Sequence, residues 1–152
     1  MTDISKRSWT EIVELHRFLE EWFRGDMPAD TTAAARIEST FALQCELIAR
    51  IGVIDRSASL QERLTQAHGS WPDMKIWVDK FVPIWVADNL ALVRYEEWRR
   101  FGGQTTGRVT SALFQNAPNG PNGVQWLYIH ETWLAGHGPQ DAPSSTEPPT
   151  ET

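Results

Sequence analysis

Four strand-like segments follow one another between residues 74 and 134, and they constrain the fold more than any other feature of the sequence. The segments are MKIWVDKFVPIWVA, NLALVRYEEWRRF, TTGRVTSALFQNA and VQWLYIHETWL. The breaks DN, GGQ and PNGPNG consist of turn-forming residues, which join successive strands as antiparallel neighbours. We therefore predict a long antiparallel meander. Because Pro83 has no N–H to donate, the first strand is expected to bend, bulge or lie at a sheet edge there.

The longest helix is predicted from the segment SWTEIVELHRFLEEWFRGD, near the start of the chain. Ser8 and Glu11 have the spacing of a capping box, and Gly25 is placed to end the helix in a left-handed conformation. The apolar residues of this helix spread over more than one narrow stripe, which indicates a helix that is covered on more than one side. We expect it to be the central packing helix.

Two shorter helices and one further strand are predicted between this helix and the meander. ADTTAAARIEST has Asp30 or Thr31 as its N-cap, and SLQERLTQAHG has a capping box of Ser59 and Glu62 and ends at His68. FALQCELIARIGVID, which lies between them, alternates apolar residues at period two and predicts a strand and a turn. Helices that precede a run of strands are typical of an α+β fold rather than of alternating βαβ units.

Length and composition bound the organisation and the partners of the chain. The 152 residues have the size of one domain, which we place at residues 1–135. Residues 136–152 contain four prolines, three acids and no aromatic residue, so we predict a disordered, acidic, Pro-rich tail. A net charge of −6 without a basic cluster argues against a nucleic-acid partner. No apolar run approaches the roughly 20 residues of a membrane span, so we expect no membrane partner and a cytoplasmic location.

A two-residue turn at residues 102–103 would fix the pairing of the second and third strands of the meander. The predicted pairs are Phe101 with Gln104, Glu97 with Arg108, Glu96 with Val109, Tyr95 with Thr110, and Arg94 with Ser111. Because side chains alternate, Arg94 and Ser111 share one face, whereas Glu97 and Arg108 lie on the other. We interpret the second pair as an exposed ion pair that needs no function. A longer turn would shift the pairing by one residue and would move every residue assigned in the strand after the turn to the opposite face.

The last strand ends in HETWL, which sets an imidazole, a carboxylate and an indole side by side. Alternation places Ile129, Glu131 and Trp133 on one face and Trp126, Tyr128, His130 and Thr132 on the reverse face. His130 and Glu131 therefore point apart and cannot form an adjacent acid/base pair unless a bulge intervenes.

The order of helices and strands resembles that of the nuclear transport factor 2-like superfamily, and within it the SnoaL-like, uncharacterised bacterial branch. The matching pieces are LHRFLEEWFRGD, ALVRYEEWRR, GRVTSALF and WLYIHETWL, spread over residues 8–135. The resemblance implies a cone-shaped α+β fold, in which a curved antiparallel sheet wraps the long first helix around a deep pocket. It also implies a homodimer formed through the outer sheet face, in which we expect Trp126, Tyr128 and Phe114 to be buried. The superfamily contains enzymes and binding domains, so fold alone assigns no function.

The resemblance also implies a set of ligand-binding residues, which lie on the sheet face that carries Arg94 and, for Phe18, on the first helix. They are Arg94, Glu96, Ser111, Ile129, Glu131, Trp133 and Phe18. A buried carboxylate and a buried guanidinium are costly unless paired, so Glu131 and Arg94 are expected to form a structural pair or to anchor a ligand together. The pattern of the steroid isomerases is broken, because Ala49, Phe18 and Ser111 stand where its polar groups would fall.

Two functions remain open. The first is a small-molecule-binding domain whose deep apolar pocket takes an apolar ligand or one of mixed polarity. The second is a cofactor-independent lyase, isomerase or cyclase that acts on an apolar carbonyl compound, with Glu131 or His16 as general base and Arg94 as oxyanion stabiliser. His16 lies on an apolar helix stripe, where a lone histidine is more often a satisfied core residue. Because the histidines lack ligand spacing and no glycine-rich phosphate loop is present, we expect no metal and no cofactor.

Overall fold

The computed structural model of the protein describes residues 2–139. Within that range the three α-helices are α1 (Asp3–Arg24), α2 (Thr31–Thr40) and α3 (Ser57–Gln66). The six strands of the same range are β1 (Phe41–Ile48), β2 (Ile54–Arg56), β3 (Lys75–Val86), β4 (Leu90–Phe101), β5 (Gln104–Asn116) and β6 (Val124–Trp133). A short 3-10 turn at Pro121–Gly123 precedes β6. The predicted disordered tail lies, from residue 140 onward, outside the described residues.

The strands form one sheet in the order β2-β1-β6-β5-β4-β3, so the predicted meander occupies four consecutive positions. The predicted α+β cone is confirmed, with α1 packed across the inner face of the curved sheet. The sheet differs from the prediction in one respect, because β1 pairs with β6 in the parallel direction. Only the meander and the β1–β2 hairpin are antiparallel. A parallel neighbour requires a long connection, and the rest of the chain between β1 and β6 provides it.

Helix α1 begins five residues before the predicted start. Its N-cap is Thr2, whose side-chain oxygen accepts a hydrogen bond from the Ser5 N–H at 3.4 Å. Ser8 lies inside the helix, where its hydroxyl donates to the Ile4 carbonyl at 2.7 Å, so the capping-box interpretation was wrong. The predicted end is confirmed, since Gly25 has φ +78° and closes the last turn. No helix within residues 2–139 is long and apolar enough to cross a membrane.

Helix α3 is shorter at its end than predicted and starts two residues earlier. It runs over Ser57–Gln66, so Ser59 lies within the first turn rather than before it. The Ser59 hydroxyl still accepts a hydrogen bond from the backbone N–H of Arg56 at 3.2 Å. Ser59 therefore accepts a hydrogen bond from a backbone N–H group at the start of the helix, as its residue type indicated. It does so from a position three residues after the N-cap residue, Arg56.

Glu11, which the capping-box interpretation had placed at the helix start, is a fully buried carboxylate that ties α1 to α2 and β6. One of its oxygens accepts from Arg36 Nη2 at 2.9 Å and from Asn122 Nδ2 at 3.0 Å. The other accepts from Trp126 Nε1 at 3.0 Å. Burial raises the pKa of Glu11, and the three donors only partly oppose that rise. The carboxylate thus fixes where α1 lies on the sheet.

The predicted register of the β4–β5 hairpin is confirmed. Gly102 and Gly103 have φ of +59° and +78°, as a two-residue turn requires, and Phe101 pairs with Gln104. The prediction for Pro83 is also confirmed. Strand β3 lies at the edge of the sheet, and its pairing with β4 shifts on both sides of Val82 and Pro83.

The side of the sheet assigned to these residues was wrong. Tyr95, Glu97 and Arg108 are buried on the inner face, toward α1, while Arg94 is exposed on the outer face. Alternation determines which residues share a face but leaves open which face meets the helix. Ala91 and Val93 are buried and lie on the same face of β4 as Tyr95. This face meets α1, because the apolar side of the strand has to cover the helix. The ion pair interpreted as exposed is therefore inside the protein.

A bulge in β6 changes the predicted face of the residues at the start of that strand. Phe114 pairs with Trp126 and Leu113 with Tyr128, so Leu127 is an extra residue in the strand. The bulge turns Trp126 inward together with Ile129, although alternation had placed the two residues on opposite faces. Trp126 and Phe114 are buried within the chain itself, with ring centroids 4.4 Å apart. The expectation that these two rings face a partner subunit was therefore wrong.

Candidate functional site

A cavity of about 350 Å³ lies between α1, α3 and the inner face of the sheet. Its wall is mostly apolar and includes Leu15, Leu19, Phe23, Phe41, Leu60, Leu64, Trp126 and Ile129. The sequence places these side chains there because α1 presents the Leu15 and Leu19 stripe and the sheet presents every second residue. A concave apolar wall that carries a few polar groups is the usual form of a small-molecule site.

One end of the cavity carries a cluster of charged side chains, which we call the charged cluster: His16, Arg50, Glu97, Arg99, Arg108 and Glu131. Glu97 is its centre. One oxygen of this carboxylate lies 3.0 Å from Nε2 of His16, and the other accepts from Arg99 Nε at 2.6 Å. The second ring nitrogen of His16 donates to the backbone carbonyl of Ile12 at 2.7 Å, since a carbonyl can only accept. Both nitrogens of this histidine are thereby engaged.

Glu131 is the second carboxylate of the charged cluster, and two arginines hold it. Arg50 Nη1 donates to one oxygen at 3.1 Å, and Arg108 Nη1 lies 3.4 Å from the other. The guanidinium carbons of Arg50 and Arg108 lie 4.8 and 5.2 Å from the ring centroid of Trp133. The indole ring therefore provides both cations with an aromatic surface as well as a shared carboxylate.

The environment of the charged cluster shifts its pKa values in opposite directions. Burial alone would raise the pKa of Glu97, but Arg99, Arg108 and His16 together hold that pKa well below its usual range. Burial, and then the neighbouring guanidinium of Arg99, lower the pKa of Arg108 to about 10. Burial and the charge of Glu97 raise the pKa of Tyr95 well above its usual value. At neutral pH Glu97 is therefore an ionised carboxylate among guanidinium groups.

Three of the residues singled out in the sequence line the cavity. Ile129 and Glu131 do so from β6, as the alternation indicated, and His16 does so from α1. Trp133 lies behind them, against Arg50 and Arg108, where it lines a second cavity of about 160 Å³. Strand alternation thus predicted that Ile129 and Glu131 share a face, whereas the position of His16 is set by α1.

The other predicted site residues lie elsewhere. Arg94, Glu96 and Ser111 are on the outer face of the sheet, so the predicted pair of Arg94 with Glu131 does not form. Phe18 is half-buried on α1, stacked on the Trp22 ring at 5.8 Å, and is not part of the cavity wall. The prediction for Arg94 was wrong because its register was correct but was assigned to the wrong side of the sheet.

Sequence reasoning missed the arginines and one of the carboxylates of the charged cluster. Glu97 and Arg108 stood opposite each other in the predicted hairpin, so the signal was present but was interpreted as an exposed pair. Arg99 follows Glu97 at the strand period and lies on the same face. Arg50 follows β1 in a turn, where no periodicity predicts the direction of a side chain.

The two candidate general bases, His16 and Glu131, both form hydrogen bonds with other groups of the protein. Both nitrogens of His16 and both oxygens of Glu131 have partners in the structure. Among residues 2–139, no group of three or more histidine, cysteine or acidic side chains is placed to hold a metal ion. What the charged cluster offers to a ligand is a set of buried guanidinium groups beside an apolar wall.

Solved structures share this fold. A nuclear transport factor 2-like protein of unknown function from Pseudomonas aeruginosa is 20% identical, covers 84% of this chain and 98% of its own, and has a TM-score of 0.76. The CaMKII hub of S. rosetta is 12% identical, with coverage of 85% and 95% and a TM-score of 0.67. A nuclear transport factor 2-like superfamily protein from Salmonella enterica is 18% identical, with coverage of 89% and 94% and a TM-score of 0.63. These likenesses confirm the resemblance at the level of the fold.

Two curated relatives are similar in sequence. Sucrose-phosphatase 2 of Nicotiana tabacum is 26% identical over 140 residues, which are 88% of this chain and 32% of the relative. Sucrose-phosphatase 1 of the same plant is 24% identical over 137 residues, with the same shares. The chain therefore spans about a third of the length of these curated relatives. Residues 8–135 match the family described as sucrose-6-phosphate phosphohydrolase C-terminal, and the chain belongs to that family.

Proposed function

We propose that this chain is a small-molecule-binding domain whose ligand occupies the cavity between α1, α3 and the sheet. The observation that carries the proposal is the cavity itself, about 350 Å³ in volume, with a mostly apolar wall and charged groups gathered at one end. Such a site supplies burial for the body of a ligand and orientation for its polar end. A cytoplasmic location remains a prediction from the sequence.

Binding without chemistry is favoured over the alternative of a lyase, isomerase or cyclase. His16 and Glu131 both line the cavity, which is what the enzymatic alternative requires. However, a general base needs an acceptor atom within reach of the substrate proton. Both ring nitrogens of His16 face protein acceptor oxygens, and both oxygens of Glu131 already accept from arginines. For the relatives named as sucrose-phosphatases, we propose that the corresponding region contributes ligand recognition rather than the hydrolytic step.

Blocking the cavity is expected to abolish binding of a neutral apolar probe. Ala67 follows α3, is half-buried and lines the cavity, so Ala67→Trp would place an indole in the ligand space. The fluorescent probe N-phenyl-1-naphthylamine should bind the unmodified protein and bind this variant at least about tenfold more weakly. Fluorescence titration measures both affinities, and native mass spectrometry of freshly purified protein would show a retained ligand by its mass.

Ala35→Trp is the matched control, because Ala35 is exposed on α2 and is not part of the cavity wall. It should leave probe affinity unchanged. Equal affinity of all three proteins for the probe would place the probe outside the cavity and would count against a binding function for it. Thermal melting of each variant confirms that the comparison is made on folded protein.

We further propose that the chain forms a homodimer through the outer face of the sheet. The supporting observation is that Trp77, Val82 and Trp85 of the edge strand β3 remain 43%, 38% and 55% exposed. A charge on this apolar strip should disfavour association, so Trp85→Glu is expected to raise the dimer dissociation constant more than about tenfold. Light scattering at micromolar concentration measures it, with Ala35→Glu on α2 as the control. A monodisperse monomer of the unmodified protein would refute the homodimer.

A further inference from the structure

We propose that the ligand of this cavity is an amphipathic organic anion, whose anionic head binds Arg108 and Arg99 while its apolar body lies against the helix side of the cavity. The inference rests on the binding function proposed above and adds the chemical class of the ligand. Carboxylates and phosphate esters share the required chemistry, and their geometry suits planar guanidinium groups.

The charges of the cluster do not pair evenly. Glu97 is held by Arg99 at 2.6 Å, and Glu131 is held by Arg50 at 3.1 Å. Arg108 is an additional cation, and its one ion pair within residues 2–139 is a long contact of 3.4 Å to the carboxylate that Arg50 already binds. A buried charge that is incompletely compensated is unfavourable. An anion at this point would supply the missing compensation.

Arg108 has more hydrogen-bond donors than it has partners in the protein. A guanidinium has five N–H donors, and Arg108 is 1% exposed, so bulk solvent reaches almost none of them. Among the described residues, Arg108 Nε is buried without a hydrogen-bond partner. Burial and the adjacent guanidinium of Arg99 lower the pKa of Arg108 to about 10, which shows that its surroundings disfavour its charge. Donors that lack acceptors in a closed site are the features expected of an anion site before its ligand is bound.

Arg99 and Arg108 line both the large cavity and the smaller cavity of about 160 Å³, so they form the boundary between the two. The rest of the wall of the large cavity is mostly apolar and includes Leu19, Leu60 and Leu64. A ligand that satisfies both parts of the wall must carry its charge at one end and an apolar body at the other.

Two fluorescent probes of nearly the same shape test the charge requirement. 1-Anilinonaphthalene-8-sulfonate is N-phenyl-1-naphthylamine with an added sulfonate, so the pair differs in one anionic group. The sulfonate should bind the unmodified protein at least about tenfold more tightly, counting only the binding that Ala67→Trp removes. Competition by 4-phenylbutanoate and by 2-phenylethyl phosphate then distinguishes a carboxylate ligand from a phosphate ester, with 4-phenylbutanamide as the neutral control.

Variants locate the head group. Arg108→Gln leaves Glu131 with Arg50, and it should abolish the preference for the sulfonate while changing the affinity for the neutral probe by less than about threefold. Arg94→Gln, the same change on the exposed outer face of β4, should alter neither affinity. If Arg108→Gln does not fold, the comparison of the two probes on the unmodified protein still decides the question.

The outcomes separate this inference from the proposed function. Equal affinity for the two probes, with both lost in Ala67→Trp, would overturn the anion and leave the binding function intact. Binding of neither probe to the cavity would remove the binding function itself. A preference for the sulfonate that survives Arg108→Gln in folded protein would also overturn the assignment of the head group to Arg108.

Discussion

Replacing Glu97 by glutamine should lower the free energy of unfolding by about 3–5 kcal/mol. The carboxylate is 2% exposed and is the partner of both His16 and Arg99. A neutral amide would leave Arg99 without its ion-pair partner, and it would remove a negative charge that also favours the charged form of Arg108. The cost of removing one member of a buried charge network comes mainly from the charges that remain. Urea unfolding at pH 7, followed by circular dichroism, measures the change.

The adjacent residue provides the control for this prediction. Glu96→Gln makes the same chemical change one position earlier, on the half-buried outer face, where the carboxylate accepts from Trp98 Nε1 at 3.2 Å. A glutamine oxygen can still accept that hydrogen bond, so the loss should stay within about 0.5 kcal/mol. Similar losses in the two variants would contradict the view that the charged cluster depends on Glu97.

The Glu97 carboxylate should also determine how the free energy of unfolding falls at acidic pH. Its pKa is well below 4.5 in the folded protein, so the folded state binds fewer protons than the unfolded state over the acidic range. The stabilisation from Glu97 is then present above the unfolded pKa near 4.5 and is lost as the pH falls toward the folded value. Glu11 acts in the opposite direction, since its pKa is raised and its contribution falls as the pH rises through the folded value. Glu97→Gln should therefore flatten the decline in stability below about pH 4.5.

The order of elements and the strand register were predictable because they rest on local chemistry. The glycines at residues 102–103 can adopt positive φ without strain, and that fact alone aligned β4 with β5 along their whole length. Gly25 ended α1 for the same reason. Strand alternation then placed Ile129 and Glu131 of β6 on one face, and both side chains line the cavity.

The parts that could not be predicted depend on tertiary packing. Alternation could not tell which face of β4 meets α1. Arg94 was therefore predicted to line the cavity, whereas Arg99 and Arg108 are the arginines that do so. The bulge at Leu127 reverses the face of every residue before it in β6, and no local residue pattern announces it. Arg50 enters the charged cluster from a turn, whose direction is set by the neighbouring elements. The fold was therefore easier to predict than the site, because a site depends on which way each side chain points.

Trp126 is the inward-facing residue that this bulge produces, and its removal should be as damaging as the loss of Glu97. Trp126→Ala should lower the free energy of unfolding by about 3–5 kcal/mol, because the indole is 1% exposed and packs against Phe114 and Tyr95. Truncation would leave a void that the surrounding sheet and α1 can fill only in part. Trp85→Ala removes the same side chain from a site that is 55% exposed and should cost less than about 1 kcal/mol in monomeric protein.

Trp126→Phe separates packing from hydrogen bonding within this effect. The ring is largely retained, but Glu11 loses the donor that lies 3.0 Å from one of its oxygens. Since that hydrogen bond lowers the pKa of Glu11, its loss raises the pKa further, and the variant should be more destabilised at pH 8 than at pH 4. Urea unfolding at both pH values tests this. A loss that is independent of pH would show that Trp126 acts on stability through packing alone. The predicted slope would show that the tryptophan also supports the Glu11 carboxylate, which holds α1 against β6.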